Sequence, residues 1–283
     1  MMIFYTSSTK HFASELSFEE GKYLSKQFSD GECYIKLESD VAQKSVWVVA
    51  ATNPPADHLL ELFLLLNALD RAGATIYLLF TYFGYARQDR PIAGEASSAE
   101  VISTILKMFA LKKIIIVHAH SQFLHEYLDF TNIIPTDLMK ATAQLYDAVA
   151  APDQGAYELV KSIAHACHNE PVFLTKIRPE QEKVQILEYD GIVRARTILI
   201  IDDIIATGNT IIEVAKILRQ LGAQEVSVWA THGIFSGDAL AAIEKSNIKK
   251  IYVTNTLLQK RCSNKIEVIS IAPLIKKIIE NNC

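Results

Sequence analysis

The sequence predicts an α/β protein made of two tandem domains with mainly parallel sheets. Seven short runs rich in valine, isoleucine and leucine alternate with amphipathic stretches of helical periodicity. Runs of this kind are typical of strands buried on both faces of a parallel sheet. The chain has 283 residues, which suits two domains of ordinary size. The predicted strands are Ser45–Ala50, Thr75–Phe80, Lys113–Val117, Pro171–Leu174, Thr197–Ile201, Glu225–Trp229 and Lys249–Val253.

An internal repeat of strand, helix and strand supports the division into two domains. Each copy has a polar residue after its first strand, a Gly-Ala pair where its helix should stop, and a glycine after its second strand. The offset is constant, since 222 − 73 = 149 and 233 − 84 = 149. We therefore predict domains at 1–140 and 141–283, with chance similarity of short α/β repeats as the alternative. The matched pairs are Asn53 with Asp202, Gly73 with Gly222, and Gly84 with Gly233.

Composition argues against membrane and nucleic-acid modules. Half of the residues are hydrophobic, but Glu61 interrupts the most apolar stretch, and no run reaches the roughly 18 apolar residues of a membrane span. The formal net charge of −4 gives no overall basic field for nucleic acid. We expect neither a membrane nor a nucleic-acid partner.

The amino terminus and the cysteines favour a cytoplasmic protein. The first residues lack the charged start and cleavage site of a secretory signal. The four cysteines are widely spaced and match neither a disulfide framework nor a zinc motif, which fits a reducing compartment. The cysteines, to which we assign no role, are Cys33, Cys167, Cys262 and Cys283.

The segment 198–218, ILIIDDIIATGNTIIEVAKIL, places two carboxylates and a small turn between a buried strand and a helix. Ligands of open α/β sheets bind at this carboxyl end of the strands. Backbone amides near a glycine, hydroxyl groups and the positive end of the next helix together suit a phosphate. Carboxylates beside them can accept hydrogen bonds from the hydroxyls of a sugar. The candidate residues are Asp202, Asp203, Thr207, Gly208, Asn209 and Thr210.

Two further expectations concern this segment. Thr210 and Glu213 have the spacing of a capping box at the start of the helix. The alternative for the whole segment is an ordinary strand–turn–helix unit with an acidic strand end, as in many doubly wound folds.

Two motifs in the first half suit a nucleotide. The first, FSDGE, sets Phe28 beside Asp30 and Glu32, which suits stacking on a purine and accepting from its amino group. On its own the motif fits an ordinary acidic turn with a buried phenylalanine better. The second, YFGYARQDR, follows a buried strand and brings together Arg87, Gln88 and Arg90. Guanidinium groups suit phosphates, although an interface loop with solvated arginines is an open alternative.

Taken together, the motifs resemble those of ribose-phosphate diphosphokinases. FSDGE, YFGYARQDR, the Pro-Asp-x-Gly segment at Asp153, the Asp-Asp loop, THGIFSG and TNT occur in the order found in that family, over nearly the whole chain. The stretch GEASSAEVI looks most like the shorter archaeal-type members. The resemblance implies two type I phosphoribosyltransferase-like domains, and transfer of the β,γ-diphosphate of ATP to the anomeric hydroxyl of ribose 5-phosphate.

The resemblance also implies roles for individual residues. Lys176 and Arg178 match the catalytic pair of the family and would stabilise the charge that develops during transfer. Mg²⁺ is the implied cofactor, with His120 and Asp153 as its nearest side chains. A homo-oligomer, a dimer or a multiple of dimers, is expected by resemblance alone. The implied ATP ligands are Phe28, Asp30, Glu32, Arg87, Gln88, Arg90 and His120; the implied ribose 5-phosphate ligands are Asp153, Asp202, Asp203, Thr207, Gly208, Asn209 and Thr210.

Three positions depart from the family pattern. The family usually has an acid in place of Ala206, a glycine in place of Asn209 and an aspartate in place of His118. We expect His118 and His120 to lie on one face of a strand, because side chains two residues apart in a strand point the same way. The departures keep open a non-catalytic regulatory homologue. A phosphoribosyltransferase acting on a base is the second alternative, although two domains and the nucleotide motifs disfavour it.

Overall fold

The computed structural model of the chain describes residues 1–177, 185–259 and 263–282. They form two compact units: the first comprises Met1–Ile134, Thr256–Leu258 and Ile271–Cys283, and the second Pro135–Asn255 and Gln259–Ser270. The predicted domain bounds were 1–140 and 141–283; the units divide instead after Ile134, and the first unit also includes Thr256–Leu258 and the C-terminal helix. The assignment of one substrate to each domain stays a prediction.

The first unit is a six-stranded sheet in the order β2-β1-β5-β6-β7-β8, and every neighbouring pair is parallel. A separate antiparallel hairpin, β3-β4, contacts helix α1. Labels follow chain order. The elements of this unit are β1 (Met2–Tyr5), a 3-10 helix (Ser7–Ser14), β2 (Glu19–Glu20), β3 (Tyr23–Gln27), β4 (Cys33–Leu37), β5 (Ser45–Ala51), α1 (Asp57–Arg71), β6 (Thr75–Tyr82), α2 (Ser98–Leu106), β7 (Leu111–Val117), a 3-10 helix (Gln122–Glu126), β8 (Thr131–Ile133) and the C-terminal α7 (Ala272–Glu280).

The second unit is a seven-stranded sheet in the order β11-β10-β9-β12-β13-β14-β15. All of its pairs are parallel except β10 with β11. The elements are α3 (Thr136–Ala143), β9 (Ala148–Ala151), a 3-10 helix (Gln154–Ala156), α4 (Tyr157–Cys167), β10 (Glu170–Ile177), β11 (Gln185–Asp190), β12 (Thr197–Ile205), α5 (Asn209–Gln220), β13 (Glu225–Gly233), α6 (Ala239–Lys245), β14 (Ile251–Thr254) and β15 (Ile266–Ile269).

The predicted α/β class with mainly parallel sheets is confirmed, and each of the seven predicted strands is present. The short strands β1, β2, β8, β9 and β15, the hairpin β3-β4 and the antiparallel strand β11 were not predicted. Each of these strands is only two to six residues long, and segments this short give a weak periodic signal, so these strands depend on their sheet neighbours. Among the described residues, no helix combines the length and apolar character that a membrane crossing requires.

The repeat is visible in the way the helices α1 and α5 pack. The apolar residues that α1 buries recur in α5 at the same offset of 149. Both helices also end alike: Gly73 and Gly222 have left-handed φ angles of 76° and 93°, as the Gly-Ala signal predicts. The buried pairs are Leu62 with Ile211, Leu65 with Val214, Leu66 with Ala215, and Leu69 with Leu218.

The two copies differ at the start of the helix. Helix α1 begins at Asp57, whereas α5 begins at Asn209, whose counterpart in the first unit is Leu60 (209 − 149 = 60). The residues that form a loop in the second unit therefore have counterparts in the first unit that form an extra turn of helix. The counterpart of Thr210 is Glu61 (210 − 149 = 61), a carboxylate that is buried in the first unit. An anion site is consequently disfavoured at this end of the first unit.

Glu61 is held by hydrogen bonds from two other segments of the first unit. Its carboxylate accepts from the backbone N–H of Ser7 (3.1 Å to each oxygen), the Ser7 hydroxyl and the Tyr23 hydroxyl (2.8 Å). Burial, and next the charge of Glu61, raise the pKa of Tyr23, so its hydroxyl stays a donor. A buried charge with this many donors links α1 to the amino-terminal 3-10 helix and to β3.

We predict that Glu61→Ala destabilises the first unit by about 2 to 4 kcal/mol, because it leaves buried donors without their charged acceptor. Each unit contains one tryptophan, Trp47 in β5 and Trp229 in β13. Chemical denaturation in a Trp229→Phe background would therefore follow the first unit through Trp47. Asn67→Ala, on the exposed face of α1, is the matched control. Equal midpoints for the two variants would contradict a stabilising role for Glu61.

Candidate functional site

The carboxyl end of β12 carries the two predicted aspartates. The strand continues to Ile205, further than predicted, so Asp202 and Asp203 lie within it and are partly buried. Asp202 pairs with Ala230 of β13. The Asp203 backbone N–H donates to Asp202 Oδ1 at 2.9 Å. Two carboxylates are thus fixed side by side on a rigid strand.

Asp153 joins this acidic group from the neighbouring strand. It follows β9, which is hydrogen-bonded beside β12, and its Oδ1 accepts from the Gly155 N–H at 3.1 Å. Burial raises the pKa of Asp202 well above its ordinary value, and the charges of Asp203 and Asp153 raise it further. Three carboxylates therefore meet at one sheet edge and repel one another, which favours a bound cation or hydroxyl donors there.

The predicted phosphate loop follows directly. Gly208 has a left-handed φ of 79° and immediately precedes α5. Thr207, Asn209 and Thr210 are exposed. Within the part of the chain that the structure describes, the N–H groups of Thr207, Gly208 and Asn209 have no protein acceptor. Such amides at the positive end of a helix suit an anion.

The predicted capping box at Thr210 and Glu213 is wrong. The cap position is Gly208, two residues earlier, and no side chain caps the helix. The left-handed turn at Gly208 brings the chain into the helix before Thr210, so Thr210 is already the second helical residue. The first amides of α5 are therefore left for a ligand rather than satisfied internally.

In the first unit, the motif FSDGE forms the tight turn of the hairpin β3-β4. The Phe28 N–H donates to Glu32 O (2.8 Å), and the Glu32 N–H donates to Asp30 Oδ1 (3.0 Å). Phe28 is 46% exposed, and its ring packs edge-on against that of Tyr34, with 5.5 Å between the ring centroids. The alternative of a buried phenylalanine is thus wrong. An exposed ring beside two exposed acids is available to a partner molecule.

The motif YFGYARQDR forms the loop after β6. Arg87, Gln88 and Arg90 are exposed, whereas Asp89 between them is buried. The Gln88 backbone oxygen accepts from the Ala99 N–H at the start of α2 (3.2 Å), and the Gln88 side chain accepts from the Ser98 hydroxyl. The loop is therefore anchored at its middle while its two guanidinium groups face outward.

The expectation for the two histidines is wrong. Strand β7 ends at Val117, and His118 has a left-handed φ of 47°. The alternation of a strand no longer applies, so His118 is buried while His120 is exposed. Asparagine, aspartate and histidine tolerate this backbone conformation better than most residues. That tolerance gives a physical reason why histidine can stand where the family usually has aspartate.

The predicted catalytic pair falls at the edge of the described residues. The backbone of Lys176 lies near the end of β10, opposite Ile186 of β11. Arg178 lies outside the described residues, as does most of the polar stretch that follows it. The roles of Lys176 and Arg178 stay predictions.

No role was predicted for the end of β13 or for the loop that follows it. Thr231 and His232 are buried polar residues on the strand beside β12, and Ile204 pairs with His232. Phe235 has a left-handed φ of 50°, which is unusual for an aromatic residue. The two polar residues at the end of an apolar strand could have marked this position as functional in the sequence. No sequence pattern indicates the left-handed backbone of Phe235.

The raised pKa of Asp202 predicts a pH-dependent effect of Asp202→Asn. A carboxyl whose pKa is raised on folding contributes stability at low pH, and this contribution is lost as the pH rises through the folded-state pKa. The neutral amide avoids that loss. We expect the melting temperature of Asp202→Asn to exceed that of the unaltered protein at pH 8, with a smaller difference at pH 5. Thermal denaturation between these values tests this, with exposed Asp238→Asn as control. A gain independent of pH would contradict it.

Comparison with known proteins covers both units. Residues 1–109 match the family described as the N-terminal domain of ribose phosphate pyrophosphokinase. Residues 140–281 match the phosphoribosyl synthetase-associated domain. These two matches span the motifs in both halves of the chain.

Whole-length relatives agree with this. The ribose-phosphate pyrophosphokinase of Helicobacter hepaticus is 30% identical over 99% of this chain and 93% of its own length. That of Bacillus caldolyticus is 31% identical over 95% of this chain and 89% of its own length. The crystal structure of phosphoribosylpyrophosphate synthetase from Mycobacterium smegmatis superposes with a TM-score of 0.89 at 26% identity, covering 99% of this chain and 98% of that one. With these matches over both units, and with its three carboxylates beside a candidate phosphate loop, the chain belongs to the ribose-phosphate pyrophosphokinase family.

Proposed function

We propose that the protein transfers the β,γ-diphosphate of ATP to ribose 5-phosphate, giving phosphoribosyl diphosphate and AMP. The observation that carries this proposal is the carboxyl end of β12, where the loop 207–210 adjoins three carboxylates in a chain that matches the family throughout. The loop would bind the 5-phosphate through its amides and hydroxyls. Asp202 and Asp203 would accept from the ribose hydroxyls.

The reaction takes place at one phosphorus centre, and the β- and γ-phosphoryl groups are transferred together. The anomeric oxygen of the sugar forms a bond to the β-phosphorus of ATP, the bond from that phosphorus to the α,β-bridging oxygen breaks, and the hydroxyl proton is released. Such a transfer needs positioning and charge neutralisation more than covalent catalysis. We infer from the family resemblance that Lys176 and Arg178 supply cations near the β-phosphate, and that Phe28, Asp30, Glu32, Arg87, Gln88, Arg90 and His120 bind ATP.

Mg²⁺ fits the residues present. Asp153, Asp202 and Asp203 are oxygen donors whose repulsion a cation would relieve. Among the described residues, no group of three or more His, Cys, Asp or Glu side chains is arranged to hold a metal ion by itself. This suits magnesium, which keeps several waters and shares its remaining positions with phosphates. When bound, Mg²⁺ would join and neutralise the phosphates of ATP, with Asp153 and His120 as its proposed nearest side chains.

Two finer statements complete the proposal. We propose a homo-oligomer, on the family resemblance alone, and a cytoplasmic location, in keeping with the absence of a disulfide or zinc pattern among the cysteines. Cys33 and Cys167 are free thiols in the structure.

The first prediction concerns the products. Purified protein with ribose 5-phosphate and MgATP should give AMP and phosphoribosyl diphosphate in equal amounts, and a metal-free sample should give neither. Phosphorus NMR resolves both products. Formation of ADP, or intact binding of both substrates without turnover, would favour the regulatory homologue. Formation of phosphoribosyl diphosphate without AMP is incompatible with the proposed reaction.

The second prediction concerns Lys176. Lys176→Ala should lower kcat by about 10²-fold or more with little change in ATP affinity, because a group that acts in the transition state contributes little to ground-state binding. Steady-state kinetics and calorimetric ATP titration check this. Lys161→Ala, an exposed lysine on α4, is the matched control. A kcat within a few-fold of the unaltered protein would remove Lys176 from the catalytic machinery.

A further inference from the structure

The loop that follows β13 is hydrogen-bonded to the residues that lead into the phosphate loop. The backbone N–H groups of Ile234 and Phe235 both donate to Ile205 O, at 2.9 and 3.2 Å. The Ser236 N–H donates to Ala206 O at 2.9 Å. The two carbonyls immediately before Thr207 are thereby turned towards the neighbouring loop, and the peptide planes that enter the Gly208 turn are fixed.

The backbone conformation that presents these three donors depends on the packing of the Phe235 ring against Gly233. Phe235 has a left-handed φ of 50°, a conformation that is unfavourable for a residue with a side chain and persists only where the surroundings enforce it. A Cβ atom placed on Gly233 would lie 2.6 Å from Phe235 Cε2 and 3.1 Å from Val253 Cγ1. The ring therefore occupies the space that any side chain at position 233 would need. The Gly233 carbonyl in turn accepts from the Gln259 amide at 2.8 Å.

We propose that Gly233 and Phe235 are positioning residues for the sugar phosphate: by holding Ile205 and Ala206, they preorganise the amides of Thr207–Asn209 for the 5-phosphate. This rests on the proposed function of the same loop. A turn held in one conformation binds an anion without first being ordered, whereas a loosened turn is competent for only a fraction of the time. The apparent affinity then falls by that fraction.

The consequence for kinetics is specific. The 5-phosphate does not take part in bond formation, so weaker binding of it should raise KM for ribose 5-phosphate and leave kcat nearly unchanged. We expect Gly233→Ala and Phe235→Ala each to raise the dissociation constant for ribose 5-phosphate about ten-fold, with the affinity for ATP altered less than about two-fold. Phe235→Tyr keeps the ring and should retain normal affinity.

The experiment is a double-mutant cycle measured by calorimetric titration of ribose 5-phosphate. If packing of the Phe235 ring against Gly233 holds the loop in place, the double variant Gly233→Ala/Phe235→Ala should bind ribose 5-phosphate no more weakly than Phe235→Ala alone. Val228→Ala is the control, since it opens a fully buried site in the middle of the same strand, away from the loop. It should lower the melting temperature without changing the dissociation constant.

The outcomes separate the two proposals. Unaltered affinity in Gly233→Ala and Phe235→Ala, additive losses in the double variant, or an equal loss in Val228→Ala would each overturn the positioning role. Turnover by the unaltered protein would then leave the proposed function standing. An unaltered protein that neither binds ribose 5-phosphate nor forms phosphoribosyl diphosphate would instead overturn the proposed function, and the positioning role with it.

Discussion

The left-handed turn at Gly208 is the constraint on which the candidate site in the second unit depends. Because the backbone turns there, helix α5 begins at Asn209 without a side-chain cap. Its first backbone N–H groups therefore have no acceptor within the helix. The turn lies against Ile243 of α6, 3.5 Å from where a Cβ would stand, so there is room for a small side chain. Backbone conformation, more than space, therefore accounts for glycine at this position.

The first unit shows what happens to the same architecture without that turn. Its helix α1 starts three residues earlier in the shared register, and the residue equivalent to Thr210 is the buried carboxylate of Glu61. The repeat has thus diverged at one point: one copy leaves helix amides for an anion, and the other buries its own anion against the amino-terminal segment. The sheet and the buried helix face are otherwise retained.

Electrostatics in the second unit follow from the parallel sheet. Neighbouring parallel strands end at the same edge, so Asp153 after β9 and the aspartates of β12 are brought together although they are about 50 residues apart in the chain. Burial, and next the charges of Asp203 and Asp153, raise the pKa of Asp202, so keeping this carboxylate charged costs stability. Binding of magnesium and of sugar hydroxyls would relieve that cost, and a site that favours its ligands in this way trades some stability for function.

The sequence by itself determined the α/β class, the seven principal strands, the register of the repeat and the candidate phosphate loop. These follow from local patterns: apolar periodicity, Gly-Ala helix stops and a small turn after an acidic strand end. Tertiary structure alone decided the rest. It determined where β7 ends, and therefore why His118 and His120 do not share a strand face. It also determined the cap of α5 at Gly208 and the place of the C-terminal helix in the first unit. The hydrogen bonds from the Phe235 loop to Ile205 and Ala206 likewise depend on it. The physical reason is that left-handed residues and backbone hydrogen bonds between distant loops depend on the surrounding fold. Local sequence patterns carry no information about those surroundings.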